Sequence, residues 1–565
     1  MVEALTPILN YPYFNHILLT SIVWLTYTYT LKCGFVSDDF QGIAEYDGKL
    51  QGREYGMISR WIRFHLAGGH FPSKIKNKDG SSVPQGKVPF RHHIISVTVF
   101  NLAVVLGYQY LQHILEPQVA LMAMILLIIH PITTQGVAWI SGLGYPLCLF
   151  WNFLTLNFIY AHYQSGWNNV SSILIFIVLQ FLSINALFIS IVFSPVLWFL
   201  GYHSFALVSL VISIFMGLKI VRETINLRKA EFVKQNMGKS TFIKPRKLIV
   251  ALKTLFYYIN LIILPKRLGL YHKWGYHYET DVEREDGMMM GGLLYLGLLV
   301  SAFFLIPDMT VKLGVIWFLS FISIFLNWIT IQQFVTERYA MIPAIGLYII
   351  ASFYLQNYIM VYIVLCSLLL MRTWTHLPTY DNELKFYQSN VWNFENSEVA
   401  YGNLGVTQIR LGQLGSSLDS WHISTKINPE YDVPWYNIFS HYKSNAMFQV
   451  TQGNYQNGLE LLRQALPYIQ SAVSAKICHF KEDWTKERDE VASWLNDPLI
   501  LINREFERLT KLHSELSERL KTPKDEADKI GIMQSLNDIS VRLQHIETIK
   551  RGNSQPGTVP PVQPT

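Results

Sequence analysis

From Phe14 to Trp374 long apolar runs alternate with short polar breaks, and after Trp374 apolar positions recur every three or four residues. About 20 apolar residues make one transmembrane helix. By that measure spans are predicted at 14–34, 94–115, 117–133, 138–160, 170–186, 187–202, 204–222, 291–306, 311–333, 338–356 and 357–373, about eleven in all. Between 170 and 222 the apolar run is nearly continuous, and Asn185, Pro195 and Gly201 mark its turns. The segment 248–266 is apolar but interrupted by Lys253 and Asn260 and closed by Pro265, which predicts an interfacial or re-entrant helix. The expected fold class is all-α: a polytopic membrane helix bundle over 1–374 with long loops at 35–93 and 223–290, followed by a soluble helical domain.

In the soluble part, YGNLG (401–405) is echoed by WYNIF (435–439), so that Asn403 and Asn437 stand one tetratricopeptide period apart. Pro429 closes the first unit and GNYQNGLELLRQAL (453–466) reads as the second helix of a pair, predicting tetratricopeptide-like repeats over 375–480. Over 481–551 an amphipathic or coiled-coil segment is expected. Its apolar stripe runs through Ile502, Phe506, Leu509, Leu512, Leu516 and Leu520 and should pack on the repeats or on a second helix near 528–550. The proline-rich end, 552–565, reads as disordered.

Composition supports this division. Half of the 565 residues are hydrophobic and only 15% are charged, more apolar than an ordinary globular protein. The net charge of +6 is small for the length, and its basic residues gather near 219–253. That argues against nucleic acid and for a lipid or phosphate partner. Cys33, Cys148, Cys366 and Cys478 have no metal-ligand spacing and suggest neither a disulfide framework nor a zinc site. The stretch 14–34 lacks a basic leader and a cleavage site and reads as a retained first span. An odd span count puts the loops 35–93 and 223–290 and the C-terminal third on the face opposite the N-terminus. The basic residues of 222–253, Arg222 to Lys253, would place that face in the cytoplasm by the positive-inside rule, which is weakest for long loops.

Candidate chemistry clusters at that face. Asp38 and Asp39 follow the first span as adjacent carboxylates, suited to general-base work or to orienting a sugar; a solvated loop start is the bland alternative. His130 stands at the mouth of the third span and Glu337 and Arg338 beside a late one. A guanidinium at headgroup level is suited to a lipid-linked phosphate, or else anchors the helix by pairing with Glu337. Lys266, Arg267 and His272 flank the interfacial segment and could grip a phosphate or serve as membrane anchors. His92 and His93 enter the second span, where histidines are more often structural.

The ordered series resembles a known family. It runs DD after the first span, P-x-x-H-H before the second, HPI-T after the third, LPKRLGLYH after the interfacial helix, ERY-x-x-x-P, and then the repeats. Across most of 30–470 it is similar to the transmembrane and tetratricopeptide-repeat mannosyltransferases and their bacterial relatives, of the C-type glycosyltransferase fold. The resemblance implies sugar transfer from a polyprenyl-phosphate carrier to a protein or glycan hydroxyl on the extracytoplasmic face, with no metal required. It implies Asp38 as base with Asp39 beside it, Arg338 with Lys266 or Arg267 on the donor phosphate, and His130 lining the site; His93 and Glu337 complete the substrate-binding candidates. The chain departs from the family where H-T-E and then G-R-x-D/E are usual: here stand Thr133, Thr134, Gln135, then Gly142, Leu143, Gly144, Tyr145. Likewise Ser183, Ile184 and Asn185 replace Ser-Lys-Glu. Such neutral replacements keep a second reading open, a catalytically degenerate subunit of a membrane complex that docks a protein partner on its helical repeats. A transporter is disfavoured, since no matched pair of interrupted helices is evident.

Overall fold

The computed structural model describes residues 13–40, 57–67, 75–76, 82–83, 88–165, 170–231, 245–270, 272, 286–327, 335–475, 480–523 and 525–553. These residues are helical apart from one two-stranded antiparallel ribbon, Ile75–Lys76 with Ser82–Val83, and the turns between elements. Lys234, Lys239 and Lys244 of the basic loop, and the tail from 554, lie outside them. The chain divides into two compact units, with the main division between Thr407 and Gln408.

Four helices of the first unit are long and apolar enough to cross a membrane: Pro89–Ile114, Ile140–Tyr163, Gly287–Leu305 and Ile359–Tyr380. The pair Pro117–Ile129 and Pro131–Ala138, bent by 58°, makes a fifth if it counts as one span. The expectation of about eleven spans therefore fails among the described residues, because counting apolar residues ignores whether they share one helix axis. Phe14–Tyr27 is α-helical for 14 residues before the chain tightens into the 3-10 turn Thr28–Lys32. Such a helix rises only about 21 Å, short of a hydrocarbon core of about 30 Å. The run 311–333 stops being α-helical at Ser323, and Pro343 separates Glu337–Met341 from Ala344–Leu355. The run 187–202 is a 3-10 turn, Phe188–Val192, and a six-residue helix, Ser194–Phe199, with Pro195 in its first turn. Gly201 ends it at φ +84°, a conformation open to glycine. The expected interfacial segment is one helix, Pro245–Ile263.

Leu293, Leu294, Leu298, Phe304 and Leu305 lie exposed on one long helix, and Met360, Val361, Ile363, Val364 and Leu368 on another. Apolar surface of this extent suits lipid rather than water. Inside, Gly314 and Gly346 let the helices Met309–Ser323 and Ala344–Leu355 meet backbone to backbone: a Cβ on either glycine would collide with the other's carbonyl oxygen. Small residues permit the close helix approach on which membrane bundles depend.

The chain breaks at His130, between the helix Pro117–Ile129 and the 3-10 turn Pro131–Thr133. Pro131 cannot continue the helix Pro117–Ile129, so the carbonyls of Leu127, Ile128 and Ile129 lose their helical partners, while Leu126 O still accepts from His130 N (3.0 Å). Each of the three finds another. Leu127 O accepts from the Thr133 hydroxyl (2.8 Å), Ile128 O from the Tyr27 hydroxyl (3.0 Å) and Ile129 O from the Thr373 hydroxyl (2.6 Å). The helix end is thus fixed from three parts of the chain, which satisfies buried groups that would otherwise each cost about 1–3 kcal/mol.

In the second unit, helices Leu414–Ile427, Asp432–Thr451, Tyr455–Ser474, Lys481–Asn496, Pro498–Leu520 and Glu526–Asn553 follow in order. Gly412 and Gly453, at φ +75° and +83°, turn the chain ahead of the Leu414 and Tyr455 helices. Asn403 and Asn437 sit on the helices that precede those turns, Glu398–Arg410 and Asp432–Thr451. The Pro498–Leu520 helix starts where the Asp497 carboxylate accepts from Leu499 N (3.1 Å) and Pro498 takes the first turn. Leu501, Ile502 and Leu509 are buried in the core of this unit with Ile539 and Ile546 of the last helix, so the amphipathic stripe does pair with a second helix.

Candidate functional site

The loop 33–40 joins the turn at 139–141 through Asp39. Its buried carboxylate accepts from Ser141 N (2.8 Å), the Ser141 hydroxyl (2.6 Å) and Val36 N (3.1 Å), and the Trp139 indole donates to Val36 O (3.2 Å). Arg63 donates to the neighbouring Ile140 carbonyl. Asp39 is therefore a staple, with its oxygens committed to the protein. Ser37 is held at φ +53°, a left-handed conformation that costs a non-glycine residue about 1–3 kcal/mol and persists only when its surroundings impose it. The staple supplies that constraint, immediately before Asp38.

Burial pushes the Asp39 carboxyl up to about 7, against the opposing effects of its hydrogen bonds to Ser141 and Val36 and of the Arg63 charge. A carboxyl raised above its unfolded value lends stability at low pH, and that contribution is lost as pH rises from the ordinary carboxylate range through about 7. Relative to Asp39→Asn, whose side chain does not ionise, the unmodified chain is expected to lose up to about 4 kcal/mol between about pH 4 and pH 8, at about 1.4 kcal/mol per tenfold change in proton affinity. Thermal unfolding in detergent across that range checks this; parallel profiles for the two chains would remove the assignment.

Asp38 is exposed, and it lies close enough to the Arg338 guanidinium for their charges to interact. The guanidinium lies 4.6 Å from the Trp139 ring centre and 5.2 Å from that of Tyr339, donates to the Thr336 hydroxyl (3.3 Å) and hydrogen-bonds the Tyr145 hydroxyl. Gln135 Oε1 accepts from Arg338 N (3.0 Å) and from the Thr336 hydroxyl. Gly142 permits this fold, since a Cβ there would collide with Gln135 O and the Gly136 backbone. A half-buried cation on two aromatic faces, with a carboxylate within range of its charge, can hold an anion while the carboxylate accepts a proton.

His130, His93 and Glu337 belong to the framework. His130 is buried; Nδ1 accepts from Ile132 N (3.3 Å), which leaves Nε2 to donate to Ile262 O (2.8 Å), so both nitrogens are used. His93 is buried beside the backbone of Cys33 and Gly34. Glu337 is buried among other partners: its carboxylate accepts from Gly269 N and lies 3.3 Å from His272 Nε2 and 3.9 Å from His376 Nε2. Asn390 Oδ1 accepts from Leu270 N (2.6 Å), Asn393 donates to Leu268 O (2.9 Å), and Arg372 donates to Pro265 O (3.2 Å) and Lys266 O (3.0 Å). A side chain at Gly269 would collide with Asn390 and Phe394. The backbone of 265–270 is thereby pinned at five points, while the side chains of Lys266 and Arg267 stay exposed. Among the described residues no three His, Cys, Asp or Glu side chains gather so as to hold a metal ion.

Trp139, Tyr145, Thr336, Tyr339 and Gln135 surround Arg338 without having been singled out for that role from the chain pattern. The motif spacing carries only a faint signal of them, since Trp139 and Tyr145 flank the GLG stretch that departs from the family pattern. No known protein family, no curated protein and no solved structure matches this chain.

Proposed function

We propose that the first unit is a membrane glycosyltransferase that moves a sugar from a polyprenyl-phosphate carrier to a hydroxyl of a protein or glycan, on the extracytoplasmic face. The observation that carries this reading is that the fold brings Asp38 within range of the Arg338 charge, residues remote in sequence and opposite in charge. In the proposed step the acceptor oxygen attacks the anomeric carbon as Asp38 takes its proton, the bond from that carbon to the phosphate oxygen breaks, and polyprenyl phosphate leaves with its charge held by Arg338. Lys266 and Arg267, exposed on their pinned loop, would meet lipid headgroups or the carrier phosphate. No cofactor enters the step. The stretch 375–480, as tetratricopeptide-like repeats, would present or recruit a protein acceptor.

Transfer from a radiolabelled polyprenyl-phosphate sugar, compared between the unmodified chain and Asp38→Asn, tests the reading. The variant is expected to lose about 100-fold or more of the rate, the usual range for a general base. Equal rates would strip Asp38 of its role. The rival reading, a degenerate subunit of a membrane complex, is favoured by one observation: Asp39 and His130 are consumed by structural contacts, and Glu337 is buried with one oxygen tied to Gly269 N. Absence of transfer from every polyprenyl-phosphate sugar tried, with the chain recovered in a stable complex, would select it.

A further inference from the structure

Gln135 is wholly buried, and the orientation of its amide is decided by its neighbours. Arg338 N is a backbone donor and can only face an oxygen, so the atom 3.0 Å from it is Oε1. The Thr336 hydroxyl donates its one hydrogen to the same Oε1 and accepts from Arg338 Nη1 at 3.3 Å. Nε2 is then the other end of the amide, and it has no hydrogen-bond partner among the described residues. A buried N–H left unmade costs about 1–3 kcal/mol, and such groups are rare in native proteins unless something else meets them.

We propose that Gln135 Nε2 and the Arg338 guanidinium form one receptor for a phosphate oxygen, with Gln135 a direct donor to the ligand. The inference rests on the phosphate-donor reading above and adds to it a neutral donor whose chemistry decides which ligands fit. An amide offers N–H to an anion where a carboxylate would repel it, so the neutral residue at this position favours anion binding. Oε1 anchors Thr336 and the Arg338 backbone, and Nε2 is left for the ligand.

Q135E separates the two ends of the side chain. One carboxylate oxygen still accepts from Arg338 N and Thr336, while the other replaces the donor with a negative charge. The probes are farnesyl phosphate in detergent micelles, inorganic phosphate, and farnesol as the uncharged control, with binding followed by calorimetry at pH 7.5 and pH 5 and folding by thermal midpoint. The unmodified chain is expected to bind farnesyl phosphate, and Q135E to bind it about tenfold or more weakly at pH 7.5, on the scale of a lost charge-assisted hydrogen bond. At pH 5 the gap should narrow as the introduced carboxylate gains a proton and again offers a donor, a recovery that a purely structural role would not produce. Binding of inorganic phosphate with the same dependence would identify a free-phosphate site; dependence confined to farnesyl phosphate would identify the lipid carrier. Equal binding by the two chains, or a weakening that persists unchanged at pH 5, overturns the role of Gln135 and leaves the phosphate-donor reading intact. No binding of either phosphate by the unmodified chain sinks both.

Discussion

Replacing Arg338 with alanine is expected to lower sugar transfer by about 100- to 1000-fold, the range seen when a preorganised donor to a developing anion is removed. Its guanidinium is fixed by the Trp139 and Tyr339 rings, by Thr336 and by Tyr145, so it needs little rearrangement to meet a phosphate. Arg338→Lys keeps the charge but loses the planar fork and much of the stacking, and an ammonium is more strongly hydrated. It should fall between the two, with the donor's KM rising more than kcat falls. Initial rates over a range of donor concentration, beside thermal midpoints of each variant, measure this. A rate for Arg338→Ala within about threefold of the unmodified chain, against the much larger loss that removing such a donor brings, would rule out Arg338 as the phosphate ligand.

Replacing Glu337 with alanine should instead damage the fold. Its carboxylate takes the Gly269 N–H and is the buried anion beside His272 and His376, and its charge also acts on Arg372, which holds Pro265 O and Lys266 O. Leaving the buried Gly269 N–H without its acceptor costs about 1–3 kcal/mol. Glu337→Gln keeps an acceptor for Gly269 and loses only the charge, so it should cost less than half as much. Thermal unfolding in detergent gives the ranking, and cleavage by trypsin after Lys266 or Arg267 reports whether the pinned backbone has loosened. If alanine and glutamine variants unfolded together with the unmodified chain, the anchoring role of Glu337 would be wrong. The two neighbours in ERY thus predict opposite phenotypes, lost transfer at 338 and lost stability at 337, although both looked like ligands from the sequence.

Local rules made part of this protein legible in its chain. Apolar runs announced helices and a lipid-compatible surface, and the apolar stripe that begins at Ile502 announced a helix with a partner. Propensity, capping and periodicity act over a few residues, so they can be read along the chain. Tertiary structure decided how many apolar runs share one axis long enough to span a bilayer, since breaks such as that at His130 are stable only when distant groups, Tyr27 and Thr373, satisfy the freed carbonyls. It also sorted the polar candidates. Asp38 and Asp39 are identical residues one step apart, yet one stands exposed within range of the Arg338 charge and the other is spent on Ser141 and Val36. A carboxylate or imidazole carries the same hydrogen-bonding capacity wherever it stands; which partner fills it depends on segments brought together only when the helices pack.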